Sequence, residues 1–235
     1  MTPVLNALEL FCGIGGFAGA VAGTPIRIAA AVDQSAVALS VYRLNFPDHP
    51  ARQADLEQIS AAELAVFGAD LWWLSPPCQP YSVRGAGRDL DDPRAQSLVR
   101  LLTTLAAMDD DALPRHLALE NVPGFARSQA RERLAVLLTA RGYRLRERQL
   151  CPTELGIPSR RPRYYLIASR RPLRANPPAG EMPGRPLRDF LDPSLNENPL
   201  PELLLASETL SRFGDGFRIL DPDEETAYTT CFTGG

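Results

Sequence analysis

The chain has 235 residues, 25 basic and 28 acidic side chains, a formal net charge of −3 and 45% hydrophobic residues. This is the composition of a globular protein long enough to bury a core without disulfides or metals, as one large α/β domain or one domain with a small appendage. No apolar run approaches the roughly 20 residues that span a bilayer. The start MTPVLNALELF lacks the basic, then long apolar pattern of a secretory signal, so the expectation is a cytoplasmic protein without membrane attachment.

The first 170 residues alternate strand-like and helix-like segments. ALELF (7–11) reads as a short strand, followed by a glycine turn and an Ala-rich helix. IRIAAAV (26–32) reads as a second strand and SAVALSVYRLNF (35–46) as a helix. DLWWLS (70–75) and HLALENV (116–122) are further strand candidates. RERLAVLLTARG (131–142) is a helix stopped at Gly142, and YRLRERQLC and RYYLIAS are two late strands. Such alternation predicts an α/β fold, a mostly parallel sheet with helices on both faces. After Ser169 the composition turns Pro-, Gly- and Arg-rich, which reads as a linker. One short helix, PELLLASETLSRF, is expected in the irregular remainder. The predicted division is a domain over 1–170 and a small C-terminal region over 171–235.

Charge is unevenly spread. Residues 1–126 hold 8 Arg and 14 acids, residues 127–188 hold 15 Arg and 4 acids, and residues 189–235 hold 2 Arg and 10 acids. A basic block over 127–188 suits a polyanion such as nucleic acid. Taken singly, Arg127, Arg131, Arg133, Arg141 and Arg144 read as the solvated face of a helix.

Three constellations bear chemistry. Phe11-Cys12-Gly13-Ile14-Gly15-Gly16 follows the first strand and opens a helix, where glycine lets the backbone turn tightly and approach a ligand. Asp33 ends the second strand, placed to accept from ribose hydroxyls, and Asp55 lies near the end of a possible third strand, placed to accept from an adenine amine. An adenosine pocket, a dinucleotide site of GxGxxA type with a nicotinamide-dependent oxidoreductase, and a plain tight turn all fit this segment.

Pro76-Pro77-Cys78-Gln79-Pro80 leaves the third strand candidate. The prolines fix the backbone, so the loop holds Cys78 at the sheet edge as a candidate nucleophile; the alternative is an inert, buried thiol. Cys12, Cys151 and Cys231 read as packing or loop residues. With no CxxC pair and two histidines in the chain, no metal site is expected. Glu120 ends an apolar strand, a setting that raises a carboxyl pKa; the alternative is a helix-capping acid. Arg161 and Arg163 flank Pro162 before the last strand, with alternation placing both on one side.

In this order the motifs resemble the cytosine-C5 methyltransferase family, from about Leu8 to Ser169, through FCGIGG, Asp33, PPCQP, ENV and the RxR segment. The resemblance implies a Rossmann-like methyltransferase fold, S-adenosylmethionine as methyl donor and no metal. It implies that Cys78 attacks C6 of a flipped cytosine and that Glu120 bonds N3 and the exocyclic amine. Arg163 would bind O2, and Arg161 would support the loop. Phe11, Gly13, Ile14, Gly15, Asp33, Asp55, Pro77 and Ser97 would line the cofactor pocket. LENVPGF, CPTELGIPSRRPRYYLIAS and Cys231-Phe232-Thr233 are similar to the branch that methylates the anticodon loop of aspartate tRNA. DNA methyltransferases of restriction systems are the neighbouring expectation. Two features depart from the pattern: Ser159 stands where glutamine is usual, and nothing after CFTGG supplies the asparagine-containing segment. The latter raises the alternative of a truncated member that binds cofactor or nucleic acid without catalysis.

Overall fold

Alternation along the strands decides which helices cover which face of the sheet. In a computed structural model, which describes residues 3–82, 88–173, 182–193 and 207–208, seven strands form one sheet. They are β1 (Leu5–Leu10), β2 (Ile26–Asp33), β3 (Ala51–Gln53), β4 (Leu71–Leu74), β5 (His116–Asn121), β6 (Arg144–Leu150) and β7 (Arg163–Ser169), in the order β3-β2-β1-β4-β5-β7-β6. β1 to β5 pair in parallel, whereas β7 runs antiparallel to both β5 and β6.

Leu8 and Leu10 of β1 face the side covered by α3 (Ala61–Val66), α4 (Gln96–Ala107) and α5 (Gln129–Ala140). There they join Leu64, Leu98, Leu101, Leu105, Leu134 and Leu138 in the larger core cluster. Ala7 faces the opposite side, beneath Ala18 of α1 (Gly16–Val21) and Leu39 and Tyr42 of α2 (Ala36–Asn45). Each fully buried leucine stabilises the fold by about 1.5–3 kcal/mol relative to exposure. The expected mostly parallel sheet with helices on both faces is therefore what forms.

Two helices lie where the sequence reading predicts none. α3 opens on a capping box, in which Ser60 accepts from Glu63 N at 3.2 Å and Glu63 accepts from Ser60 N at 3.1 Å. α4 carries its leucines at 98, 101, 102 and 105, one helical face. Ser128 caps α5 by accepting from Arg131 N at 3.0 Å, and Asp89 reinforces that end by accepting from Gln129 N at 2.5 Å.

Chain contacts divide the protein into two compact units. The first comprises Met1–Leu150 and Arg163–Ala175, the second Cys151–Pro162 and Asn176–Gly235. Sequence alone suggested one boundary after residue 170. In the second unit a 3-10 turn over Pro152–Leu155 is capped by Glu154, which accepts from Cys151 N at 2.7 Å. Gly156 follows at φ 74°, and a side chain there would collide with the Pro183 carbonyl. The helix expected over 201–213 lies outside the described residues but for 207–208, as does the Cys231-Phe232-Thr233 segment. Among the described residues, no helix is long and apolar enough to cross a membrane.

Candidate active site

The strand order reverses between β1 and β4, and in open α/β sheets the crevice at such a point receives ligands. The glycine turn leaves β1 there and the Pro-Pro-Cys loop leaves β4 beside it.

The turn is strained in a way that glycine relieves. Gly13 and Gly15 have φ of 53° and 95°, and Phe11 shares the left-handed region at 58°. A Cβ on Gly15 would lie 2.4 Å from the Phe46 ring, so the position excludes any side chain. Asp33 fastens the turn: one carboxylate oxygen accepts from Gly13 N at 2.8 Å and the other from Ser35 N at 2.8 Å. Each oxygen keeps a lone pair for a ligand. Ile14 is 59% exposed on the outside of the turn, whereas Cys12 is buried and its thiol is pushed up to about 12, chiefly by that burial.

The other predicted cofactor residues differ in burial. Asp55 is exposed and accepts from Glu57 N at 2.9 Å, so part of its capacity is spent on its own turn. Pro77 is half-buried beside Cys78, and Ser97 is buried in the first turn of α4.

Cys78 is partly exposed rather than buried. A 3-10 turn over Gln79–Tyr81 follows it and starts with Tyr81 N donating to the Cys78 carbonyl at 3.0 Å. Arg94 lies within electrostatic range of the Cys78 sulfur. Its guanidinium is held in place by Asp92, with side-chain hydrogen bonds of 2.8 and 2.7 Å; these bonds, foremost, keep the Asp92 carboxyl down at about 2.

Three contacts join this loop to the next strands. Asn121, buried, donates its side-chain amide to the Pro76 carbonyl at 3.0 Å. Gly124 passes so close to Tyr81 that a Cβ would sit 2.0 Å from the Tyr81 carbonyl oxygen. Phe125 meets the Tyr81 ring edge-on at 4.8 Å and the Tyr164 ring of β7 at 5.5 Å.

Glu120 sits one residue before the end of β5. Because β7 runs backwards, its first residue, Arg163, arrives at the same sheet edge, and Arg163 Nε meets Glu120 Oε1 at 3.0 Å. This corrects the apolar setting expected for Glu120: the carboxylate is ion-paired and its side chain is 27% exposed. Nor does Glu120 cap a helix, since it lies within the strand. Arg161 belongs to the second unit and is exposed, with its N–H donating to the Ser159 carbonyl at 3.0 Å.

A cavity of about 490 Å³ runs from the turn to the sheet edge at Glu120, lined by Phe11, Phe17, Trp73, Tyr165, Glu9 and Glu120 among others. It thus brings together one predicted cofactor residue and one predicted catalytic residue. Phe17 and Trp73 stack at 4.6 Å with planes 10° apart. A largely apolar cavity of this size with a few polar groups fits an adenosine-bearing cofactor. Sequence reasoning missed Glu9, Phe17 and Trp73; the one available signal was an acid inside the otherwise apolar ALELF.

A sheet of this order, with β7 inserted antiparallel before β6 and with a glycine turn and a cysteine loop flanking its switch point, is a Rossmann-like methyltransferase fold. Residues 5–233 match the family described as C-5 cytosine-specific DNA methylase, and the chain belongs to that family. It is 38% identical over 188 residues to the tRNA (cytosine(38)-C(5))-methyltransferase of Bos taurus, a stretch covering 79% of this chain and 47% of that one. To the Schizosaccharomyces pombe enzyme of the same name it is 31% identical over 253 residues, covering 100% of this chain and 72% of that one. Among solved structures, S. pombe Dnmt2 methyltransferase superposes with a TM-score of 0.79 at 29% identity, covering 94% of this chain and 69% of that one. Entamoeba histolytica EhMeth superposes at 0.82 with 25% identity and the same coverage. The chain spans about half the length of the mammalian relatives it matches.

Proposed function

We propose that this protein transfers a methyl group from S-adenosylmethionine to C5 of cytosine in tRNA, in the anticodon loop of aspartate tRNA. The observation that carries this reading is the Glu120–Arg163 pair, 3.0 Å apart at the sheet edge where the Cys78 loop emerges. The cofactor supplies an electrophilic methyl on its sulfonium. Phe11 and the Gly13–Gly15 turn, braced by Asp33, are suited to hold it, with Pro77 and Ser97 beside them and Ile14 and Asp55 at the rim.

The target cytosine must leave its stack for C6 to be reached. The Cys78 thiolate adds to C6, which places negative charge on the ring and makes C5 nucleophilic. Glu120, in its protonated form, donates to N3 and accepts from the exocyclic amine, and Arg163 donates to O2; as fixed donors they stabilise that charge as it develops. After methylation a base removes the C5 proton, the electron pair reforms the double bond, and Cys78 leaves as thiolate. Arg161 supports the loop ahead of Arg163, and the basic 127–188 block supplies phosphate contacts. Division of labour between a catalytic region over 1–170 and a target-recognition region over 171–235, in a cytoplasmic protein, completes this reading.

The choice of tRNA rests on the names of the relatives. DNA is the second reading, favoured by the 33% identity to the Dictyostelium discoideum DNA (cytosine-5)-methyltransferase over 171 residues. Labelled cofactor offered to tRNA and duplex DNA pools in one assay decides between them: label in tRNA is expected, and label in DNA overturns the assignment. Cys78→Ala abolishes transfer and leaves S-adenosylhomocysteine binding within about twofold. A folded wild-type chain that binds the cofactor product but labels neither pool is a non-catalytic binder.

A further inference from the structure

A buried carboxyl beneath the glycine turn has no part in the chemistry above. Glu9 lies on β1 and is 1% exposed. One oxygen accepts from Phe17 N at 3.2 Å, where the turn enters α1; the other accepts from the Tyr42 hydroxyl of α2 at 3.3 Å. Tyr42, itself buried, also lies 3.2 Å from His49 Nδ1, and His49 is partly exposed and stacked on Phe46 at 5.1 Å. Phe46 is the ring that excludes a side chain at Gly15. One connected set of contacts therefore runs from the turn to the outer side of α2.

We propose that Glu9 is a positioning residue for the cofactor turn, and that Tyr42 couples its charge to that of His49. This rests on the cofactor reading given above. As a carboxylate, Glu9 holds the Phe17 N–H and with it the start of α1. As an acid, it keeps one oxygen as an acceptor but loses the charge that makes both bonds strong.

Coupling needs no net change at the tyrosine. Tyr42 passes its hydroxyl proton to Glu9 Oε2 and takes one from His49 Nδ1, so that a carboxylate and an imidazolium become a carboxylic acid and an imidazole. Burial pushes the Tyr42 hydroxyl above its ordinary range, which keeps it a proton donor. Burial also pushes the Glu9 carboxyl up to about 7. Among the described residues, Cys12 after β1 lies within electrostatic range of Glu9, Asp33 at the end of β2 and Arg43 on α2 act in turn on Cys12, and Glu120 and Tyr165 line the same cavity as Glu9.

The test uses the full chain and two readouts. By NMR without cofactor, the Phe17 amide shift is expected to titrate with a midpoint near 7. It should be flat in Glu9→Gln, and its midpoint should move upward in Tyr42→Phe and in His49→Gln, each of which removes support for the carboxylate. By calorimetry, S-adenosylhomocysteine should bind the wild type about tenfold more weakly at pH 6 than at pH 8, as only the ionised fraction is competent to bind. Glu9→Gln, which retains an acceptor, should bind with less than a twofold change across that range. A Phe17 amide that does not titrate, or a Gln variant with the wild-type pH slope, overturns the proposal. Unshifted midpoints in both Tyr42→Phe and His49→Gln overturn the coupling. If the ligand binds at no pH, the cofactor reading falls, while the Phe17 titration still decides whether Glu9 controls the turn.

Discussion

Asn121 and Pro76 are joined by a 3.0 Å hydrogen bond between a buried side-chain amide and a backbone carbonyl. That bond ties the strand carrying Glu120 to the loop carrying Cys78. The same Asn121 accepts from Val122 N at 2.9 Å, so its whole amide is engaged in shaping the edge. Asn121→Ala leaves the Pro76 carbonyl without a partner in a buried place, at a cost of about 1–3 kcal/mol. The expected outcome is a lower urea midpoint and at least tenfold slower methyl transfer, with cofactor affinity nearly unchanged.

Gly124 tests the same edge by crowding. Since its Cβ would come within 2.0 Å of the Tyr81 carbonyl, and backbone rather than a flexible side chain is in the way, Gly124→Ala must push the two turns apart. Loss of about 2–3 kcal/mol in chemical denaturation is expected. Loss of transfer should exceed what that destabilisation explains, as read by activity at a temperature where the variant remains folded.

Arg163 pairs with Glu120 through its Nε, a geometry that a lysine ammonium does not reproduce. Arg163→Lys should retain fold and cofactor binding but slow transfer by about 10²-fold, in the range for a misplaced catalytic group. Glu120→Gln should do the same. In the double variant the losses should be much less than additive, because each single change already leaves the partner without its counterpart.

Glu9 sets a pH dependence of stability with a definite sign. Its folded-state pKa, about 7, exceeds the ordinary glutamate value of 4.5, so the folded chain binds more protons between those values. Stability from this group is therefore greatest below about pH 4.5 and declines as pH rises to 7, by a total of about 3 kcal/mol. Glu9→Gln removes the charge and should be more stable than wild type at pH 8. The two should converge towards pH 5 in denaturation series.

The positions of Cys78, Glu120 and the glycine turn were legible because each breaks a strand with residues of fixed conformational meaning: two prolines, an Asn-Val-Pro turn, and glycines at positive φ. α3 is signalled by the capping box Ser60-Ala-Ala-Glu63, and α4 by its leucine spacing. The surroundings of Glu120 were not legible. Its apolar neighbours in sequence suggest a dry site, but the group opposite its carboxylate comes from a strand 43 residues later that runs in reverse. Glu9 was obscured for the same reason, since its partner Tyr42 lies 33 residues away on the helix that roofs it.

The reversed strand also makes the last strand in the chain an interior strand of the sheet. β6 is an edge strand whose neighbour in the sheet is β7, and β7 is synthesised last of the seven. A nascent chain that has emerged as far as residue 150 already displays its thiol loop and the carboxylate of Glu120. It lacks the guanidinium that balances that carboxylate, and β6 has nothing to pair with. Domains complete their packing only when such late, sequence-distant pairings form. Insertion of β7 therefore closes the sheet and supplies the partner of Glu120 in one event.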